Sequence, residues 1–392
     1  MLRRVRPLFL LPACLGLLGL LALLPERPTA PGDDPVPRLY APGPGPAALA
    51  QYHELAARGD ASADGLLALA NTPRAVWFGD AAPEATEREV RRVVSAAERD
   101  GSLPVLVLYN VPGRDCGRYS RGGTDTTTAY TVWTEAVARG IGTRRALVVL
   151  EPDGLALLPS DCGPDGGAAS RTEERYASLA GAVGTLEPLP ATRVYVDAGH
   201  SAWHPVPTVV ARLLRAGVGR ATGFALNVSN HRTDEDTRWY GDLIASCLAY
   251  AESGGDPVDC PDRTVPRARA RAWLAAHAGT PSDRMKHYVT DSGRNGRGPW
   301  TPPAGRYPDP QDWCNPPGRG LGAPPTTATG HPLHDARLWI KAPGESDGPC
   351  LRGTAGPLDP ERGTAGPPAG QWFPDQALEL VRLANPAVPP AG

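Results

Sequence analysis

The chain has 392 residues, of which 41% are apolar and 21% charged, so it is long enough for one large or two ordinary globular domains. Its formal net charge is only −2 and no basic patch stands out, which argues against a nucleic-acid partner. Glycine and proline number 45 each, which is typical of many loops and turns but falls just short of a composition that indicates disorder.

The first thirty residues show the order of features found in secretory signal peptides. The basic start MLRRVRP precedes an apolar run over 8–24, and small residues follow near Ala30. We therefore predict a signal peptide over 1–30, a secreted protein, and no stable membrane association after cleavage. The alternative is a protein anchored in the membrane through 8–24, because an apolar run of this length could stay in a bilayer.

The next segment, 31–48, reads PGDDPVPRLYAPGPGPAA and is dominated by proline and glycine. This composition predicts a semi-rigid spacer that does not pack. We therefore place a single folded domain over 49–392, and no separate binding module is visible outside it.

Short apolar runs alternate with helical patterns along the rest of the chain. In 86–101, for example, Val90, Val93 and Val94 share one helical face, and Gly101 is a typical C-terminal residue. Seven strand–helix units predict an α/β fold with a parallel sheet. We expect a distorted, TIM-barrel-like β/α barrel of about seven strands rather than an open sheet. The predicted strands lie within 75–80, 104–110, 146–153, 193–199, 223–230, 287–293 and 336–344.

Nearly every predicted strand ends in polar side chains. The clearest case is RALVVLEPDG (145–154), in which four apolar residues run directly into Glu151 and Asp153. In β/α barrels the chemistry takes place on the loops that follow the carboxyl ends of the strands. We therefore expect one rim to collect Asp115, Asp153, Asp197, His200, Asn227, Asn230, Asp291, Arg294, Lys341, Glu345 and Asp347.

Several carboxylates around one cleft favour acid/base hydrolysis of glycosidic bonds. This reaction needs one protonated carboxylic acid at the leaving oxygen and one carboxylate that acts on water or attacks directly. A second carboxylate near the acid keeps it protonated, because the pair resists carrying two negative charges. Trp77, Trp203 and Trp313 lie in or just after strand ends and are expected to stack on sugar rings.

A metal site is the competing interpretation. Asp197 and His200 are three residues apart in DAGH, a spacing that could belong to such a site. The other histidines do not form a pair at a matching ligand spacing, the nearest being HSAWH (200–204). No nucleotide-binding glycine motif is present either. We therefore expect neither a metal nor a cofactor. The six cysteines after the apolar run have no CxxC spacing, and an even number in an exported chain indicates disulfides.

Seven motifs, in order, resemble those of the family 6 glycoside hydrolases, inverting cellulases that cleave β-1,4-glucan. They span about 75–385, and this resemblance makes 49–392 a glycoside hydrolase catalytic domain with a distorted β/α barrel. The motifs are YNVPGRDC (109–116), EPDGL (151–155), VDAGHSAWH (196–204), LNVSN (226–230), DSGRNGRGP (291–299), DWCNPPGRGLG (312–322) and KAPGESDG (341–348).

The resemblance also implies roles for individual residues. Asp153 matches the general acid, Asp115 the carboxylate that raises its pKa, and Asp347 the proposed catalytic base. Tyr109 is similar to a tyrosine that helps distort the sugar ring at the point of cleavage, and Glu151 then becomes a structural carboxylate. The positions that match residues shaping the cleft or binding glucose units are Asp197, His200, Trp203, Asn227, Arg294, Trp313, Lys341 and Glu345.

The same resemblance implies the disulfide pairs Cys116–Cys162, Cys247–Cys260 and Cys314–Cys350. One departure from the family pattern lies in the segment YSRGG. Many members carry a serine in a mobile loop six residues after the aspartate that matches Asp115, and here that position is Arg121.

The segment DAGHSAWHP looks like that of the bacterial endo-acting members, and Val206 stands where some tunnel-forming enzymes have a further tryptophan. We therefore predict an inverting endo-β-1,4-glucanase that acts, as a monomer, on cellulose and related β-glucan polysaccharides or oligosaccharides. The alternatives are an exo-acting cellobiohydrolase of the same family and a non-catalytic glucan-binding protein in which Arg121 has altered the catalytic loop.

Overall fold

A computed structural model describes residues 36–117, 119–163, 168–279 and 285–387. In these ranges every strand is parallel to its neighbours, and the sheet follows chain order from the first strand to the seventh. The strands are β1 (Val76–Phe78), β2 (Val105–Leu108), β3 (Ala146–Leu150), β4 (Thr192–Asp197), β5 (Gly223–Leu226), β6 (His287–Asp291) and β7 (His334–Leu338).

Helices separate most of the strands, as expected for parallel connections, which need a long crossover. The exception is the stretch between β6 and β7, which is a long loop over 292–333 in which no helix is assigned. The helices are α1 (Pro46–Ala57), α2 (Ser62–Asn71), α3 (Pro83–Arg99), α4 (Thr127–Ile141), α5 (Ala168–Leu186), α6 (Val206–Arg215), α7 (Asp234–Glu252), α8 (Arg267–His277) and α9 (Pro374–Arg382).

The sheet curls until its two edges meet just beyond β1 and β7. The backbone N–H of Ala75 donates to the carbonyl of Trp339 at 2.9 Å, and the indole N–H of Trp77 donates to the carbonyl of Ile340 at 2.8 Å. These bonds stand where a ladder between β1 and β7 would close a regular barrel. The prediction of a distorted β/α barrel with about seven strands is confirmed.

Two buried layers explain why the central strands β2 and β3 are continuous apolar runs. Alternate residues such as Val107, Val149 and Tyr195 point into the barrel and form one cluster. Their neighbours, including Leu106 and Val148, point outwards into a larger cluster with the helices. Because both faces of the sheet are covered, apolar side chains are favoured at every position of the central strands.

The segment predicted as a spacer contributes to the folded unit, which extends from Pro37. Leu39 is buried, and its neighbours Arg38 and Tyr40 exchange backbone hydrogen bonds with Leu103 at 2.8 and 2.9 Å. The prediction that 31–48 does not pack is therefore wrong for its described part from Pro37 onwards. The proline and glycine content of this segment gave no sign that Leu39 packs beside β2.

The three implied disulfides are confirmed, with Cα–Cα distances of 5.5, 6.0 and 5.6 Å for Cys116–Cys162, Cys247–Cys260 and Cys314–Cys350. Within the described ranges, none of the helices combines the length and the apolar character needed to cross a membrane. The predicted signal peptide over 1–30 and the apolar run over 8–24 lie outside the described residues.

Candidate active site

A cleft of about 430 Å³ opens at the carboxyl ends of the strands, where a β/α barrel places its active site. Its walls come from loops that are far apart in the sequence but meet at this end of the barrel. The predicted site residues that line it are Trp77, Tyr109, Asp115, Asp153, His200, Trp203, Trp313, Lys341 and Asp347.

Asp153 follows β3 in a turn whose backbone is held in an unusual conformation. Glu151 and Asp153 have φ angles of 51° and 64°, in the left-handed region that residues other than glycine rarely adopt. The carboxylate Oδ1 of Asp197 accepts the backbone N–H of Asp153 at 3.0 Å and that of Gly199 at 3.1 Å. Such strained residues cluster at functional sites. Asp197 thus fixes the turn that presents Asp153 to the cleft.

The Asp153 carboxyl is set up to hold a proton. Burial and, after it, the negative charge of Asp115 raise the pKa of Asp153 from 3.8 to about 7. Asp115 is itself fixed, because its Oδ2 accepts the backbone N–H of Ser120 at 2.6 Å and the disulfide of Cys116 follows it directly. Asp153, which is buried and has a raised pKa, is therefore suited to act as an acid, and Asp115 is suited to modulate that pKa.

Glu151, the other carboxylate of EPDG, points away from the cleft. It is 1% exposed, and its oxygens accept the backbone N–H groups of Asn110 and Val111 at 2.9 to 3.1 Å and the hydroxyl of Tyr130 at 2.8 Å. Burial raises the pKa of Glu151 to about 7. Glu151 therefore joins the end of β2, and the loop that carries Tyr109 and Asp115, to the end of β3.

Asp347 lines the same cleft, in a dense set of polar contacts. Its Oδ2 accepts from Nη1 of Arg294 at 2.7 Å and from the backbone N–H of Asn315 at 2.9 Å. Its Oδ1 lies 4.0 Å from Nζ of Lys341, a lysine whose pKa is lowered by burial. The disulfide between Cys314 and Cys350 encloses this loop.

Two groups of aromatic rings line the cleft. Trp77 meets Tyr109 edge-on at 5.5 Å, and the guanidinium of Arg114 lies 4.3 Å from the centre of the Tyr109 ring. In the second group His200 and Trp203 lie 5.3 Å apart. Burial, followed by the charge of Arg232, lowers the pKa of His200 to about 3, so this imidazole is neutral at ordinary pH. Flat apolar faces beside fixed polar groups suit sugar rings.

Four predicted residues lie elsewhere. Asp197, Asn227 and Arg294 are buried beneath the cleft, where Asn227 donates to the carbonyl of Asp291 at 2.8 Å. Glu345 lines a second cavity of about 770 Å³ that opens into the first. We call this cavity the Arg74 bay; its lining includes Pro42, Gly43, Gly45, Arg74, Arg121 and Glu345.

Some lining residues were missed by the sequence interpretation. Tyr119 and Ser120 belong to the short loop that carries Asp115, so an aromatic side chain close to a candidate carboxylate was an available signal. Arg232 and Asp312 form an ion pair at 3.6 Å between two loops, and nothing in their spacing predicts it. Among the residues described, no group of three or more potential ligands is arranged to hold a metal ion.

Comparison with known proteins identifies the family. The model of the glycosyl hydrolases family 6 matches residues 38–384. Endoglucanase A of Cellulomonas fimi is 36% identical over 318 residues, which cover 81% of this chain and 56% of that protein. Endoglucanase 1 of Streptomyces sp. (strain KSM-9) is 35% identical over 316 residues, which cover 80% of this chain and 70% of that protein.

The fold agrees with a solved structure from the same family. The endoglucanase Cel6 from Mycobacterium tuberculosis, in complex with methyl-cellobiosyl-4-deoxy-4-thio-β-D-cellobioside, matches with a TM-score of 0.67 and 38% identity. The match covers 89% of this chain and 97% of that one. The chain spans little more than half of the length of the Cellulomonas relative. With its sequence, its barrel and its carboxylate-lined cleft in agreement, the chain belongs to family 6 of the glycosyl hydrolases.

Proposed function

We propose that the protein is an inverting endo-β-1,4-glucanase that hydrolyses β-1,4-glucosidic bonds in cellulose and related β-glucans. The observation that carries the proposal is the Asp153 carboxyl, which faces a cleft of sugar-binding size with a pKa raised to about 7. A carboxylic acid that stays protonated at mildly acidic to neutral pH can donate to the leaving glycosidic oxygen.

The other carboxylates have complementary roles in this proposal. Asp115 keeps Asp153 protonated, and Asp347 assists the water that attacks the opposite face of the sugar. Asp347 is fixed by Arg294 and Asn315, so it acts from one position and stabilises positive charge that develops on the sugar ring. Tyr109, which contacts Trp77 and Arg114, helps to distort the sugar ring at the cleavage point.

Replacing Asp115 by asparagine is expected to shift the pH dependence of kcat/KM. Activity falls as pH rises through the pKa of the general acid, because the acid must be protonated. Without the neighbouring negative charge that pKa falls, so the alkaline limb moves to lower pH, by about one unit. The measurement is a pH profile on soluble β-glucan beside Asp64→Asn, an exposed aspartate on α2. An alkaline limb that stays in place in the Asp115 variant would exclude this role.

Endo action is proposed because the endoglucanases of Cellulomonas fimi and Streptomyces match most of this chain. One observation favours the exo-acting alternative. Tyr119, on the loop after β2, meets Trp313 at 5.2 Å and accepts from Gln311 at 2.6 Å, which joins two loops at the wall of the cleft. A joined wall restricts entry of a chain from the side.

The viscosity of soluble carboxymethyl cellulose, measured together with reducing sugar, distinguishes the candidates. Internal cuts are expected to lower the viscosity steeply while little reducing sugar appears. A slow fall in viscosity with steady release of cellobiose would contradict endo action. Binding of cello-oligosaccharides without any release of reducing sugar would favour the non-catalytic alternative instead.

We further propose that the protein acts outside the cell as a monomer. Three disulfides support an oxidising compartment, because such bonds persist mainly in exported proteins. N-terminal sequencing of the secreted protein tests cleavage near Ala30, and a sedimentation experiment tests the monomer. A protein that retains 8–24 and pellets with membranes would support the anchored alternative.

A further inference from the structure

Arg175 is a buried arginine on the face of α5 that packs against the barrel. It is 3% exposed, and the later positions on the same face, Leu179 and Val183, are apolar and belong to the large cluster between helices and sheet. Burial lowers the pKa of Arg175, while the negative charge of Glu151 acts in the opposite direction. A charge in such a place costs free energy unless hydrogen bonds and an opposite charge compensate for it.

The guanidinium of Arg175 joins the two loops that carry Asp153 and Asp115. Its Nη1 donates to the carbonyl of Gly154 at 2.9 Å, and its Nη2 donates to the carbonyl of Pro112 at 2.8 Å. Gly154 directly follows Asp153 in the turn after β3. Pro112 lies shortly before Asp115 in the loop after β2. The planar fork of an arginine holds two acceptors at a fixed spacing. We call these two bonds the Arg175 clamp.

The clamp holds the loop after β2 at a point that other links leave open. The carboxylate of Glu151 holds the start of this loop, and the disulfide of Cys116 holds it after Asp115. Pro112 lies between these two points, where a cavity of about 380 Å³ adjoins the loop. Packing restrains a loop weakly beside a cavity, so we expect the clamp to supply much of the restraint there. The lining of this cavity includes Pro112, Gly113, Cys116, Cys162 and Arg175.

We propose that Arg175 is a positioning residue, which holds the loop of Asp115 and the turn of Asp153 at the spacing at which the two carboxylates act on each other; this rests on the proposed hydrolase function, in which Asp153 is the general acid. Arg175 is not among the described residues that line the cleft, so it acts through the positions of other groups. When the clamp is lost, the negative charge of Asp115 lies farther from Asp153 and raises its pKa less.

The direction of a pH shift separates this role from a direct effect of the positive charge. Removing a cation near Asp153 makes its ionised form less favourable, so a direct effect would raise the pKa of Asp153. Weakening the influence of Asp115 lowers that pKa instead. The other titratable or charged groups around the two side chains, which every variant below keeps, are Tyr109, Arg114, Asp125, Tyr130, Glu151, Arg171, Glu174 and Asp197.

The pH dependence of kcat/KM on soluble β-glucan tests the clamp. Arg175→Lys keeps the positive charge, but a single ammonium group cannot hold both carbonyls in the geometry of a guanidinium. The alkaline limb is expected to move to lower pH by about half a unit, less than in Asp115→Asn, because Asp115 is displaced and not removed. Arg220→Lys is the matched control and is expected to keep the limb in place, since Arg220 also donates to a carbonyl of α5, that of Ala180.

A double variant tests whether Arg175 acts through Asp115. In an Asp115→Asn protein the charge that the clamp positions is absent, so adding Arg175→Lys is expected to leave the alkaline limb where Asp115→Asn alone puts it. Two residues that act on one interaction are non-additive in this way. A further shift as large as that of Arg175→Lys in the wild type would show independent effects and would overturn the clamp.

The outcomes separate the clamp from the proposed function. All profiles are recorded at a temperature at which thermal unfolding shows every variant to be folded. An alkaline limb that stays in place, or moves to higher pH, in Arg175→Lys would overturn the clamp while leaving the hydrolase intact. Absence of hydrolysis by the wild type would overturn the proposed function. In that case ¹³C NMR titration of the Asp153 carboxyl, assigned by comparison with Asp153→Asn, still decides the clamp, because Arg175→Lys is expected to lower the pKa of that carboxyl.

Discussion

Replacing Asp153 by asparagine is expected to lower kcat on soluble β-glucan by about 10²–10⁴-fold, the usual contribution of a general acid. Asparagine has the same shape but no proton to give to the leaving oxygen. Its backbone N–H can still donate to Asp197, so the turn after β3 is expected to keep its form. Initial rates of reducing-sugar release measure the effect, with thermal unfolding as the test of folding.

The leaving group gives this experiment a second readout. An aryl cello-oligosaccharide whose phenolate leaves without protonation is expected to lose much less activity in Asp153→Asn than the natural glucan does. Asp64→Asn serves as the matched control and is expected to keep both activities. An equal loss on both substrates would assign Asp153 to positioning or binding, and full activity on glucan would exclude it from the reaction.

Replacing Glu151 by alanine is expected to lower the free energy of unfolding by about 3 kcal/mol or more. The change leaves two buried backbone N–H groups, of Asn110 and Val111, and the hydroxyl of Tyr130 without their acceptor. Each buried donor that loses its partner costs about 1–3 kcal/mol. Denaturant titration measures the loss. Activity is expected to fall as well, because the same bonds hold the loop of Tyr109.

Tyr130→Phe is the graded comparison for this prediction. It removes one of the donors and leaves the two backbone bonds to Glu151, so about 1 kcal/mol is expected to be lost. The expected order of stability is wild type, Tyr130→Phe, then Glu151→Ala. A Glu151→Ala protein as stable as the wild type would show that these bonds do not hold the loop.

The parallel strands and the rim of the barrel could be predicted from sequence for one physical reason. The central strands that are buried on both faces are apolar throughout, so runs such as 146–150 stand out, and polar residues follow at their carboxyl ends. Parallel strands bring these ends to one edge. Asp115, Asp153 and Asp347 could therefore be placed around one cleft although they are distant in the sequence.

Whether a side chain of the rim faces the cleft or is buried below it could not be predicted in this way. Asp197 and Asn227 follow strands in the same manner as Asp153, but they are buried and bond to backbone groups below the cleft. A position at the end of a strand determines the edge of the sheet at which a residue lies. The local turn then determines the direction of its side chain. A left-handed φ does not decide the depth, because Glu151, Asp153 and Asn227 all have one and only Asp153 lines the cleft.

The other differences between the sequence-based expectations and the structure lie in the loops. Composition predicted that 31–48 would not pack, whereas the turn 42–45 is held by Arg74 through a long-range contact that composition does not reflect. Arg121 drew attention as a change beside the catalytic aspartate. The structure places it, exposed, in the lining of the Arg74 bay, while the neighbouring Ser120 donates its N–H to Asp115.

The stereochemistry of the product tests the central claim most directly. Proton NMR of cello-oligosaccharide hydrolysis, recorded within the first minutes, reports the anomer before mutarotation mixes the two forms. Direct attack of water opposite the group protonated by Asp153 gives the α-anomer first. Accumulation of the β-anomer from the start would require a covalent intermediate and would contradict the roles given to Asp153 and Asp347.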